Sequence, residues 1–173
     1  VEPVDRLLAI EDIRQVAFRY CRGLDRLDVD LMRSSYTPGA VDDHGVFVGD
    51  AAEFCSRVVE SHRSYDATMH CVLNHTIEVD GPDEARGELY VLAYVLRTPQ
   101  SAAQVLDAWW GRYQDRYARV AGSWGIAHRI CVHEWTRTSP LGERMPLEVE
   151  LFRQGRDDRG TGAVLGPGAF PAV

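Results

Sequence analysis

The apolar side chains of this chain change their repeat once, near Thr68, and that switch limits the folds open to it. Before it they recur every three or four residues. Leu7, Ile10, Ile13, Ala17, Tyr20 and Leu24 form one helical stripe, with Glu11, Arg14 and Arg22 away from it. After it, residues 69–79 alternate with period two, as a half-buried strand does. Helices first and strands afterwards specify an α+β fold, with the helices packed on one face of the sheet.

Local signals place the elements. The first apolar run, 9–27, closes before Asp28, whose carboxylate is positioned to cap a short second helix at 29–36. Thr37-Pro38-Gly39 stops that helix. Residues 40–48 read as a strand pair turning near His44-Gly45, and 50–63 as a third helix with Phe54, Val58 and Val59 on its apolar side. Strands follow at 69–79, 85–96, 105–120 and 124–137, joined by tight turns at 80–83 and 121–123 and a loop at 98–103. Such short connections imply an antiparallel, strongly curved sheet. One domain, 1–137, accounts for all of this. Pro, Gly and charge dominate 138–173, which reads as a C-terminal extension or flexible tail with one short element at 147–154.

Composition removes several functions. A chain of 173 residues with a net charge of −7 can enclose a ligand cavity, but nucleic acid and anionic membrane are excluded as its main partners. No run resembles a signal peptide or spans a bilayer, so the expected compartment is the cytoplasm. All nineteen basic side chains are arginine. Without lysine there is no Schiff base, no pyridoxal-phosphate attachment and no Walker-type phosphate-binding lysine. Cys21, Cys55, Cys71 and Cys131 include no Cys-x-x-Cys pair and read as small buried thiols in a reducing compartment.

Asp25 has no obvious structural task. It stands at a helix C-terminus, where the macrodipole disfavours a carboxylate, and Asp28 already caps the next helix. Either it pairs with Arg22 or Arg26 at the surface, or it works in the interior. On the strand at 69–79, His70, Val72, Asn74, Thr76 and Glu78 share one parity; Met69, Cys71, Leu73, His75, Ile77 and Val79 share the other. A strand histidine is often structural, but a concave face under the first helix would bring His70 to Tyr20 and Asp25. A carboxylate on one imidazole nitrogen fixes the tautomer. The other nitrogen can then move a proton next to a carbonyl, while a buried tyrosine donates to the developing oxyanion. No metal is expected: His70 and His75 differ in parity, as do His128 and His133, and Asp42 with His44 makes only two ligands beside a turn.

The order Ala9-Ile10-Glu11-Asp12-Ile13, Arg19-Tyr20-Cys21-Arg22-Gly23-Leu24-Asp25, Thr68-Met69-His70, Asn74 and Glu78-Val79-Asp80 resembles the SnoaL-like branch of the NTF2-like superfamily. Gly111-Arg112-Tyr113, Tyr117, Trp124-Gly125-Ile126-Ala127-His128-Arg129 and Glu134-Trp135 fit the same branch. That resemblance implies a cone-shaped α+β barrel enclosing an apolar pocket. The branch includes scytalone dehydratase, bile-acid 7α-dehydratase and the dehydrochlorinase LinA, which use an aspartate–histidine dyad. Asp25 and His70 match those positions, and Tyr20 matches a tyrosine of the dehydratases. Tyr113 and Val132 match pocket-lining positions, with Phe54 closing the pocket and Asn74 and His128 facing it. The dehydratases carry a further acid–base residue on the next strand, where only Tyr94 is polar here and is expected to line the substrate pocket.

The expected activity is a cofactor-independent lyase or isomerase acting on a small hydrophobic, cyclic molecule. The alternative is a non-catalytic ligand-binding or assembly subunit, like the β subunit of ring-hydroxylating oxygenases. Leu73, His75 and Ile77 on the outer face suggest a homodimer or homotrimer in either case.

Overall fold

The structure, a computed structural model, describes residues 1–100 and 103–142. Helices α1 (Pro3–Asp25) and α2 (Val29–Arg33) precede strands β1 (Tyr36–Asp43) and β2 (Val48–Asp50). Helix α3 (Ala51–His62) follows, then β3 (Ala67–Val79), β4 (Glu84–Arg97), β5 (Val105–Val120) and β6 (Ser123–Pro140). The strands make one curved sheet in the order β2-β1-β6-β5-β4-β3, and the helices cover its concave face. The α+β reading holds. Two features of the expected cone differ. The sheet is mixed, because β1 enters beside β6 and runs parallel to it. It is also open, with β2 and β3 as its edges, so the helices rather than a closing strand pair finish the enclosure.

Helix α1 starts earlier than expected because Pro3 begins it, the position where proline's missing N–H costs nothing and its φ is already helical. Its buried stripe is Ala9, Ile13, Val16, Ala17, Tyr20, Cys21 and Leu24; Leu7 is exposed. The helix ends in a Schellman turn. Asp28 N–H donates to Gly23 O at 2.8 Å and Leu27 N–H to Leu24 O at 3.2 Å, with Leu27 in the left-handed region at φ 58°. Asp28 then caps α2 by accepting from the Leu31 N–H, as its sequence position requires. Asp50 caps α3 in the same way through Glu53. Thr37-Pro38-Gly39 lies inside β1 rather than before it, where a register shift between Tyr36 and Val41 accommodates it.

Three bulges, one on β3 and two on β6, reset which side chains face inward. Val72 pairs with Val91, but His75 pairs with Leu89, so β3 carries one extra residue between them. Likewise Tyr117 pairs with Ile126 and Arg116 with His128, leaving Ala127 as an extra residue of β6, and Gly111 pairs with His133 and Trp110 with Trp135, leaving Glu134 as another. The inward face therefore runs His70, Val72, then His75, Ile77, Val79 on β3. On β6 it runs Trp124, Ile126, then Arg129 and Cys131. The packed interior divides into a cluster around Tyr20, Met32, Phe54, Leu89 and Tyr113 and another around Ile13, Tyr117, Trp124 and Ile126. Strand β6 runs three residues past the expected boundary at 137. The short element at 147–154 and the rest of the tail lie outside the described residues.

Helix α2 crosses α1 so closely that a Cβ on Gly23 would lie 2.6 Å from Met32 N and 2.8 Å from Met32 Cα. Backbone cannot yield as a flexible side chain does. Gly23→Ala should therefore lower the unfolding free energy by about 1–3 kcal/mol, measured by urea denaturation. An unchanged midpoint would show that the helices separate without cost.

Candidate active site

Asp25 occupies the last turn of α1, and the Schellman turn behind it fixes the direction of that turn. Both carboxylate oxygens reach β3. Oδ1 meets His70 Nδ1 at 2.6 Å, and Oδ2 accepts from the His70 backbone N–H at 2.8 Å. The His70 side chain is only 7 % exposed and that of Asp25 21 %, so this is an interior pair. Burial pushes the Asp25 carboxyl up. The hydrogen bond and charge of the His70 imidazole, its backbone N–H and the nearby Thr68 hydroxyl outweigh burial and hold the carboxyl below its ordinary value. Because the carboxylate takes Nδ1–H, Nε2 is left for chemistry. Among the described residues it makes no hydrogen bond.

Tyr20, one turn above Asp25 on α1, is 1 % exposed, and its hydroxyl makes no hydrogen bond among the described residues. Burial, then the neighbouring Tyr113 and Tyr36 hydroxyls, raise its pKa well above 10, so it stays a donor at neutral pH. Its ring meets Tyr36 and Tyr113 edge-on, with centroids 6.0 Å and 5.7 Å away. Tyr113 is buried as expected of a lining residue. Phe54 is buried beside it, stacked on His44 at 4.3 Å.

Four expected lining residues are on the wrong side of the sheet. Asn74 falls in the β3 bulge and is exposed, because the extra residue reverses the phase after Val72. Tyr94 has the opposite parity to Ala93, the residue paired with His70. His128 and Val132 do share a face with Ile130, but it is the outer one. Counting by twos from Trp124 and Ile126 misses the Ala127 bulge. Conversely, His75 and Ile77 point inward and cannot belong to an outer contact surface. Outside the sheet, Thr76, Glu78, Arg86, Glu88, Arg116 and His128 line a polar cavity of about 490 Å³, remote from the dyad.

Sequence reasoning missed the charge in the middle of the cone. Arg129 is fully buried, and its guanidinium carbon lies 4.3 Å from the Tyr20 ring centroid and 4.1 Å from that of Tyr113. Nε and Nη2 donate to Asp115 at 2.8 Å and 2.6 Å, while Nη1 has no partner among the described residues. Burial pushes the guanidinium down, but the Asp115 carboxylate more than offsets this and holds it charged. Tyr117 donates to Asp115 at 2.8 Å, and His75 Nε2 lies 3.2 Å from the Tyr117 hydroxyl. With that hydroxyl already donating to Asp115, His75 must supply the proton of its own contact. The parity Tyr113-Asp115-Tyr117 was the available signal for Asp115; for Arg129 the bulge concealed it.

All four cysteines are free thiols. Burial pushes Cys21, Cys55 and Cys131 up to about 12, which removes them as thiolate nucleophiles at neutral pH. Among the described residues no helix is long and apolar enough to cross a membrane.

The fold, helices closing over a curved sheet, has known counterparts. The SnoaL-like domain profile matches residues 5–130, and the chain belongs to that family. Three solved structures share the fold. A scytalone dehydratase-like protein from Novosphingobium aromaticivorans DSM 12444 is 18 % identical at a TM-score of 0.69, over 83 % of this chain and 100 % of that one. The hexachlorocyclohexane dehydrochlorinase LinA-type3 from Novosphingobium barchaimii LL02 is 17 % identical at 0.70, over 84 % and 100 %. An aromatic ring hydroxylase-like protein from Novosphingobium aromaticivorans is 20 % identical at 0.61, over 80 % and 96 %. No curated protein matches the chain in sequence.

Burial pushes His75 down from 6.5 to about 4. The unfolded chain therefore binds this proton first. The stability His75 permits is fully present above its unfolded value of 6.5 and is lost as pH falls from there towards about 4. His75→Gln retains a donor for Tyr117 without titrating there. The drop in urea midpoint between about pH 7.5 and about pH 4.5 should be smaller in this variant than in the wild type.

Proposed function

We propose that the protein is a cofactor-independent lyase or isomerase acting on a small hydrophobic, cyclic carbonyl or hydroxyl compound. The observation carrying this reading is the interior Asp25–His70 contact of 2.6 Å, which leaves Nε2 unengaged among the described residues. His70 is the general base and then the acid, Asp25 holds its tautomer, and the Tyr20 hydroxyl donates to the oxyanion that forms as the α-proton leaves. Nη1 of Arg129, which has no hydrogen-bond partner among the described residues and lies beside Tyr20, adds a fixed positive charge for the same oxygen. Structural likeness to the dehydratase-like and dehydrochlorinase proteins supports the fold that such chemistry uses; the residues above support the reaction type. In this role the protein needs no membrane and no nucleic acid, and its occupant is a small apolar molecule.

A ligand-binding or assembly subunit without turnover, on a fold shared with an aromatic ring hydroxylase-like protein, is the second reading. A surface ion pair at Asp25 would have suited it. Instead both oxygens of Asp25 are committed to His70.

Scytalone and hexachlorocyclohexane, assayed for loss of water and of hydrogen chloride, test the first reading. Turnover of either by the wild type should fall about 10²–10⁴-fold in His70→Ala and in Asp25→Asn, with the circular dichroism spectrum unchanged. Equal rates in the wild type and both variants would reject the dyad. Binding without turnover would favour the second reading.

A further inference from the structure

A second carboxylate–imidazole pair stands in the same half of the molecule. Asp42, on β1, is fully buried. Its Oδ1 takes His44 Nδ1, and its Oδ2 accepts from the Tyr36 hydroxyl. The pair is held by a built turn: His44 N–H donates to Phe47 O at 2.9 Å, Asp43 accepts from Gly45 N–H, and Gly45 has a φ of 74° that favours glycine. The imidazole is not on the surface. Its side chain is 17 % exposed, stacked on Phe54 and 5.7 Å from the Tyr113 ring.

These contacts tie His44 to the candidate active site. Tyr113 touches both His44 and Tyr20, and Tyr36 joins Asp42 to Tyr20 by its ring edge. Asp42 occupies Nδ1, so Nε2 is again the nitrogen left for a ligand, and it makes no hydrogen bond among the described residues. A fully buried carboxylate is costly unless its partners repay it, and a hydrophobic pair of similar size would fill the space more cheaply. Packing alone does not call for this pair.

We infer that His44, oriented by Asp42, is a second acid–base group of the site and touches the bound ring from the β1 side while His70 acts from β3. This rests on the lyase reading above. In an elimination the proton on the carbon next to the carbonyl goes to His70 Nε2, and the C–H electron pair becomes the new C=C bond. The C–O bond breaks, and the departing oxygen takes the Nε2 proton of a protonated His44 and leaves as water. Solvent then returns the proton from His70 to His44. Two imidazoles thus divide the base and acid work that the lyase reading gave to His70 in turn, His44 taking over the acid step, so the base need not travel between the carbon and the leaving group.

The test uses the full chain with ¹⁵N-labelled histidine and 2-naphthol, a flat hydroxyarene that stands in for an enol. The expected result is saturable Nε2 shifts at His44 and His70 with one shared dissociation constant, and no shift at His128 on the outer face. His44→Gln, whose amide can still donate to Asp42, should weaken naphthol binding about tenfold while the His70 shift persists at saturation. A shift at His70 alone, or unchanged affinity in His44→Gln, makes His44 structural and overturns the inference while leaving the lyase reading intact. A shift at His44 alone supports a ligand-facing His44 but overturns the role given to His70. No shift at either residue overturns both.

Discussion

The cone is organised around a buried guanidinium. Arg129 on β6 is clamped by Asp115 on β5 and covered by Tyr20 from α1 and Tyr113 from β5, so one side chain joins the sheet to its longest helix. Taking both ions out of water costs several kcal/mol each, and only good geometry and further hydrogen bonds offset it. The two-point contact supplies the first, and Tyr117 on the second carboxylate oxygen supplies part of the second. Such an arrangement tolerates little displacement. Leaving either charge without the other costs about 3–5 kcal/mol. The ring faces of Tyr20 and Tyr113 are thereby fixed, and with them the hydroxyls that border the proposed reaction site.

Asp25 depends on the same rigidity at shorter range. Its position follows from the two backbone hydrogen bonds of the Schellman turn and from Leu27 accepting a left-handed backbone. A non-glycine residue held there carries a small strain. The following Asp28 cap and the tight Gly23–Met32 approach leave the chain no other route. Helix ending, cap and crossing together aim the carboxylate at β3.

Much of this was legible in the sequence. The change of period at Thr68 separated the three helices from the four long strands, Asp28 announced α2, and β5 runs over the expected residues 105–120. Asp25 was legible because it looked misplaced for local reasons, and His70 because its strand parity set it on the face that a covering helix would meet. Bulges were not legible. A bulge adds one residue without changing composition, so Asn74 and His128 kept the expected parity and acquired the wrong face. Parallel entry of β1 beside β6 was equally hidden, since it joins residues 89 positions apart, as in the Thr37 hydroxyl's contact with Ile126 O. Both failures concern long-range register, which local propensity does not encode.

The second bond of Asp25 has a separate meaning for the sheet. Strand β3 is an edge, and edge N–H groups invite pairing with strands of other molecules. The His70 N–H is instead covered by Asp25 Oδ2. The carboxylate proposed to steady the reacting imidazole thus also guards the margin of the sheet against unwanted association. An acceptor at position 25 therefore has a use at the edge of the sheet that is independent of the proposed chemistry.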